Sequence, residues 1–126
     1  MMINKTLLYE WLYSARLQIL AFVLGSIAIC FATLTPAEHL PSAPGSDKFH
    51  HIIGFAGLAF MCAFGPFKRF IAMAFLIILL GGAIEIIQPM VNRNGEWADF
   101  YANVIGVLIV LIPRIGFQLS FITEQK

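Results

Sequence analysis

Asp47, Lys48 and His51 head one apolar run of this chain, Glu85 and Gln88 close another, and Arg93, Asp99 and Asn103 lead into a third. A carboxylate beside an imidazole is ordinary equipment for moving a proton, while Lys and Arg suit a phosphate or carboxylate ligand. Glu85, His51 and Asp99 are therefore the candidates for catalytic proton handling. Lys48 and Arg93 are candidates for holding an anionic group, with Asp47, Gln88 and Asn103 orienting the ligand and its partners. Residues three or four apart share a helix face. That spacing puts Asp47, His51 and Phe55 on one stripe, Glu85 and Gln88 on a second with Gly81 one turn deeper, and Asp99, Asn103 and Gly106 on a third.

Most of these residues also have a plainer reading. Asp47, Glu96 and Asp99 fall in first turns, where the helix dipole favours acids. Lys48 and Arg93 can snorkel to headgroups, Trp97 and Tyr101 fit an aromatic belt, and His39 and His50 suit a loop or interface. Glu85 differs because it lies about one turn inside an apolar segment. An unpaired charge at mid-bilayer costs roughly 2.5 to 3.5 kcal/mol, so Glu85 should be buried against a partner such as His51 or Arg93. Whether that partnership is structural glue or an active site stays open at this level. A metal set of His51, Glu85 and Asp99 has no signature spacing, and Cys30 and Cys62 lie in apolar runs without a CxxC. Neither a metal nor a cofactor is expected.

The elements that must position these groups are greasy. Of 126 residues, 60% are hydrophobic and 12% charged, with a net charge of +1. Soluble domains carry about a quarter charged residues, so the composition is that of an integral membrane protein in a single bundle. Lys and Arg are too few and scattered for a nucleic-acid surface. Arg16 before the apolar run from Leu17 imitates a signal sequence, but no small-x-small cleavage site follows, and Ile29 spoils a lipoprotein box at Cys30. The segment is expected to be an uncleaved helix.

Turn and cap residues then delimit an all-α membrane protein with four transmembrane helices, about 17–35, 47–64, 70–88 and 96–112. Pro36 ends the first, Ser46 caps the second, Gly65-Pro66 separates it from the third, and Pro89 ends the third. Asn94 or Gly95 caps the fourth, and Pro113 stops it. Before the first lies an amphipathic stretch with Trp11 and Tyr13 as interface anchors; after the last comes a weakly amphipathic surface tail. Lys5, Arg16, Lys68, Arg69, Arg114 and Lys126 share one side of this layout, and only Lys48 and Arg93 the other. The positive-inside rule makes both termini cytoplasmic and turns the polar cluster outward. A 52-residue offset that aligns Asp47 with Asp99 and His51 with Asn103 hints at a repeated hairpin.

The segments DKFHHIIGF (47–55), EIIQ (85–88) and RNGEWADFYANVIG (93–106) together resemble the VanZ-like family of small bacterial membrane proteins. The resembling pattern is Asp-Lys-x-x-His, Glu-x-x-Gln, Arg, Asp-x-x-x-Asn and Gly, in that order. The resemblance implies a four-helix protein of the bacterial inner membrane, in a family named for a member associated with teicoplanin resistance. It supplies no reaction.

Three functions compete. The first is an outward pocket that binds or acts on an envelope lipid or lipid-linked precursor, with Lys48 and Arg93 on the head group. The second is a non-enzymatic module whose polar network fixes helix register. The third, a transporter, is disfavoured because the polar groups occupy one level and the other halves of the second and fourth helices lack ionisable residues.

Overall fold

A computed structural model describes residues 4–125. The chain is all-α: α1 (Lys5–Leu12), α2 (Ala15–Leu34), α3 (Asp47–Ala63), α4 (Phe67–Ile87) and α5 (Trp97–Glu124), with 3-10 turns at Ala37–His39 and Gln88–Val91. Local chemistry sets the boundaries. The side chains of Asn4, Ser14 and Ser46 accept from the backbone N–H of Thr6, Leu17 and Phe49, satisfying donors that a helix start leaves free. Thr35 is extended ahead of Pro36, as the proline ring requires of its predecessor. Gly65, at φ 139°, turns α3 into α4, and Asn92, at φ 57°, ends the turn that follows α4.

Two expectations are corrected here. Three helices, not four, are long and apolar enough to cross a membrane: Ala15–Leu34, Phe67–Val91 and Trp97–Glu124. The second expected span, α3, has 17 residues and is about 26 Å long at 1.5 Å per residue, short of a hydrocarbon core of about 30 Å. Its first turns carry Asp47, Lys48, His50 and His51, so its apolar part is shorter still. Pro113 also fails to stop α5, which continues to Glu124. Proline's fixed φ is compatible with a helix; only the hydrogen bond to the carbonyl of Ile109 is forfeited, a loss that membrane helices tolerate.

Although the shortest of the four long helices, α3 is central and touches α2, α4 and α5. Its buried stripe is His51, Phe55, Leu58, Ala59 and Cys62, the spacing of a helix face, and it meets Phe70, Met73, Ala74, Ile77 and Ile84 of α4 and Val107 of α5. The helices α3 and α5 run parallel and in near register, with α2 and α4 antiparallel to them. Gly106 allows the closest approach: a Cβ there would lie 2.5 Å from the Ile52 carbonyl oxygen and 2.9 Å from the Ala56 nitrogen. Large apolar side chains such as Phe31, Phe75 and Ile112 face outward, where lipid would cover them.

Both ends of α3 are tied down by polar groups from other helices. At its C-terminal end, Gln18 Nε2 of α2 donates to the Cys62 carbonyl at 2.9 Å and to that of Pro66 at 3.4 Å. Arg114 Nε of α5 donates to the Ala63 carbonyl at 3.4 Å, its guanidinium 5.0 Å from the centre of the Phe67 ring. The contacts to Cys62 and Ala63 answer carbonyls that the end of α3 leaves without partners, whereas the Pro66 carbonyl already accepts from the Phe70 N–H. The other end of α3 opens the polar cluster.

Candidate functional site

Four helix ends meet at this level: the C-terminal ends of α2 and α4 and the N-terminal ends of α3 and α5. Glu85, Asp99, Asn103 and His51 are all buried there. Glu85 Oε2 accepts from the backbone N–H of Glu96 at 3.1 Å, so the α4 carboxylate caps the start of α5 in place of a local side chain. Glu96 itself is the capping position, one residue later than Gly95 and two later than Asn94, the two positions expected. Gly95 is nevertheless required, since a Cβ there would overlap the Glu85 carbonyl oxygen.

Asn103 is completely buried and links the other groups. Its Nδ2 donates to Glu85 Oε1 at 3.4 Å, and its Oδ1 lies 2.7 Å from His51 Nδ1. The carboxylate can only accept, which fixes the amide orientation, and the amide oxygen in turn can only accept from His51. The proton of a neutral His51 therefore sits on Nδ1, and the Nε2 lone pair is left free. That nitrogen faces Asp47 Oδ2 at 4.0 Å. His51 Nδ1 is also 3.9 Å from Glu85 Oε1, and the ring stacks on Phe55 at 6.5 Å between centres. Glu85, Asn103 and His51 form one chain, with the residues related by the 52-residue offset, His51 and Asn103, bonded to each other.

Lys48 reaches across to the start of α5. Its Nζ is 3.2 Å from Glu96 Oε2 and 3.3 Å from Asp99 Oδ1. Hydrogen bonds to Glu96 and then Asp99 raise its pKa above the ordinary lysine value, so it is charged at neutral pH. Arg93 is half-buried and donates to the Thr35 carbonyl at 3.5 Å. Among the described residues it forms no ion pair, in contrast to Lys48.

A cavity of about 340 Å³ opens beside His51. One wall is apolar, from Ile29, Leu40, Gly54 and Phe55, and the other is polar, from Asp47, His50, His51 and Arg93. Asp47 and Arg93 also border an adjoining polar depression of about 270 Å³. Glu85 stands behind Asn103 and reaches a separate recess of about 200 Å³ beside Pro89, Gly95 and Trp97. It does not line the main cavity, and its contacts toward it run through Asn103 and His51.

The structure thus brings Asp47, Lys48, His51, Glu85, Asp99 and Asn103 together and puts Arg93 on the rim. Gln88 is turned away: its Nε2 donates to the Thr33 carbonyl of α2 at 3.1 Å, outside the His51 network. Three residues along a helix is about 60° short of a full turn, and that rotation carries Gln88 from the α5 side to the α2 side. Spacing alone did not find Glu96, whose backbone N–H holds Glu85, or Gln18, which braces the far end. A single glutamine within an apolar run was the only signal for the latter.

Compared with protein-family models, with curated proteins and with solved structures, the chain matches none.

Proposed function

We propose that the chain is a VanZ-like inner-membrane protein of the bacterial envelope, and that its cavity binds the head group of an anionic envelope lipid or lipid-linked precursor. The observation that carries this reading is the cavity beside His51, apolar on one wall and rimmed by Arg93 and Asp47 on the other. An amphipathic ligand suits such walls, its acyl part on Ile29 and Leu40 and its anionic part beside Arg93. Lys48 supplies a second cation on the neighbouring α5 side, where it is paired with Glu96 and Asp99. Under this reading His51 Nε2 takes or gives a proton at the head group, while Glu85 and Asn103 hold the ring.

Orientation follows from charge. Arg16, Lys68, Arg69 and Arg114 lie at the end opposite the cavity, and the positive-inside rule supports reading that end as the cytoplasmic one. The cavity then faces the outer leaflet, where a change in precursor handling would alter teicoplanin susceptibility.

Binding to nanodiscs or vesicles with and without anionic lipid tests the proposal. Arg93→Gln and His51→Ala should weaken binding of the anionic lipid at least tenfold while the protein stays in the membrane at normal levels. Equal binding by these variants, or equal binding of neutral and anionic lipid, would refute it. A second reading, a purely structural network, draws on the position of Glu85 behind Asn103 rather than in the cavity. Retained lipid binding in Glu85→Gln together with lost helix packing in Asn103→Leu would favour that reading.

A further inference from the structure

We propose that Asp47, His51 and Asp99 form a site for a first-row divalent cation of the Zn2+ or Mn2+ class beside the cavity that Asp47 and His51 line. This deepens the head-group reading and rests on the same cavity, although binding of the cation itself requires no lipid. One ligand atom from each residue lies within 4.8 Å of the others. Around a tetrahedral metal with bonds near 2.1 Å, ligand atoms stand about 3 to 3.5 Å apart. Asp47 is exposed, and its Oδ2 is already 4.0 Å from His51 Nε2, so its side chain can rotate toward a shared ion without disturbing packing.

The way His51 is held marks the cluster as a ligand site rather than a group of acids. Asp99 is 2% exposed, and the ammonium of the half-exposed Lys48, 3.3 Å from its Oδ1, is the cation that balances it in this structure. His51 is 4% exposed, with its Nδ1–H committed to Asn103 Oδ1 at 2.7 Å and its Nε2, which makes no hydrogen bond among the described residues, directed at Asp47. Metal-ligating histidines are held in this way, one ring nitrogen on the metal and the other on a fixed acceptor. Here Asn103 is itself anchored by Glu85.

The donor set selects the class of ion. An imidazole and two carboxylates suit Zn2+ or Mn2+ better than Ca2+ or Mg2+, which favour oxygen alone. Three protein ligands leave coordination positions open, and two of the three, Asp47 and His51, line the cavity, where an oxygen of an anionic head group would fit. The sequence-level set of His51, Glu85 and Asp99 is thereby altered: Asp47 replaces Glu85, which is occupied by Asn103 and the Glu96 N–H. Lys48 competes for the site. Its ammonium is 3.3 Å from Asp99 Oδ1 and half exposed, free to move onto Glu96 when a metal arrives.

Zn2+ titration of the chelator-treated, detergent-solubilised full chain by calorimetry, with Co2+ absorption as a spectroscopic check of a nitrogen and oxygen ligand set, tests the assignment. One saturable Zn2+ site is expected. Asp99→Asn should weaken it more than about 100-fold, above the range seen for outer partners of metal ligands. Asp47→Asn, at an exposed position that cannot unfold the bundle, should weaken it at least about tenfold, and Lys48→Met should tighten it. Absence of saturation below millimolar Zn2+, or equal affinity in wild type and Asp47→Asn, overturns the site. Binding of anionic vesicles is measured separately on chelator-treated protein, so that lipid binding without a cation site removes this proposal alone.

Discussion

Gly106→Ala tests how tightly the site depends on the approach of α3 to α5. The added Cβ would lie 2.5 Å from the Ile52 carbonyl oxygen and 2.9 Å from the Ala56 nitrogen, both backbone atoms that no rotamer change can move. A carbon beside a carbonyl oxygen needs about 3.3 Å, so the helices must part by roughly 0.8 Å. If they part as rigid bodies, the 2.7 Å His51–Asn103 bond one turn away lengthens to about 3.5 Å, past the useful range of a hydrogen bond. Overpacking of this kind costs about 1 to 3 kcal/mol, and loosening two buried polar partners adds about 1 kcal/mol more. Steric-trapping or denaturant-unfolding measurements in micelles should show a loss of roughly 2 to 4 kcal/mol, and nitrogen NMR of the histidine rings should show His51 losing its fixed Nδ1–H tautomer. Stability within about 0.5 kcal/mol of wild type, with the His51 tautomer unchanged, would refute the reasoning.

At the opposite end, Gln18→Leu removes the bonds to the Cys62 and Pro66 carbonyls and should cost about 1 to 3 kcal/mol in the same unfolding assay, while lipid and Zn2+ affinity stay unchanged. Lys48 has a folded-state pKa raised above its ordinary 10.5, so its ion pairs with Glu96 and Asp99 contribute below that value and are lost as pH rises through the folded-state pKa. The stability difference between wild type and Lys48→Met should therefore be flat at neutral pH and shrink in strongly alkaline buffer; a difference that instead grows with pH would contradict the ion-pair geometry.

Much of the architecture was legible in single residues. Ser46, the Gly65-Pro66 pair and Pro36 act through backbone conformation and capping, which depend on local chemistry alone, and the helices start or stop beside them. Pro113 misled because its effect is decided by what surrounds the helix rather than by its own ring. The count of spans failed at α3, where hydropathy could be read but the length lost to Asp47, Lys48, His50 and His51 was not discounted. In the site, spacing correctly grouped Asp47 with His51 and Asp99 with Asn103, since both pairs lie within regular helix. Gln88 escaped it because three residues along a helix fall about 60° short of a full turn, enough to carry its side chain to the Thr33 carbonyl of α2. The Glu85–Glu96 contact is a side chain meeting a backbone group across a loop, for which no periodicity exists.

The braced C-terminal end of α3 also sets a height. Arg114 reaches the Ala63 carbonyl, so the packed bundle stops at that level, about 26 Å from the head of α3. The helix α5 continues for ten residues, 115–124, roughly 15 Å further, with Phe117, Leu119, Phe121 and Ile122 exposed. A hydrocarbon core of about 30 Å is a few Å taller than α3, so a bilayer around this bundle would have to thin on the α3 side, at a cost of fractions of a kcal/mol per Å, while the overhanging end of α5 carries apolar side chains past the level where α3 stops.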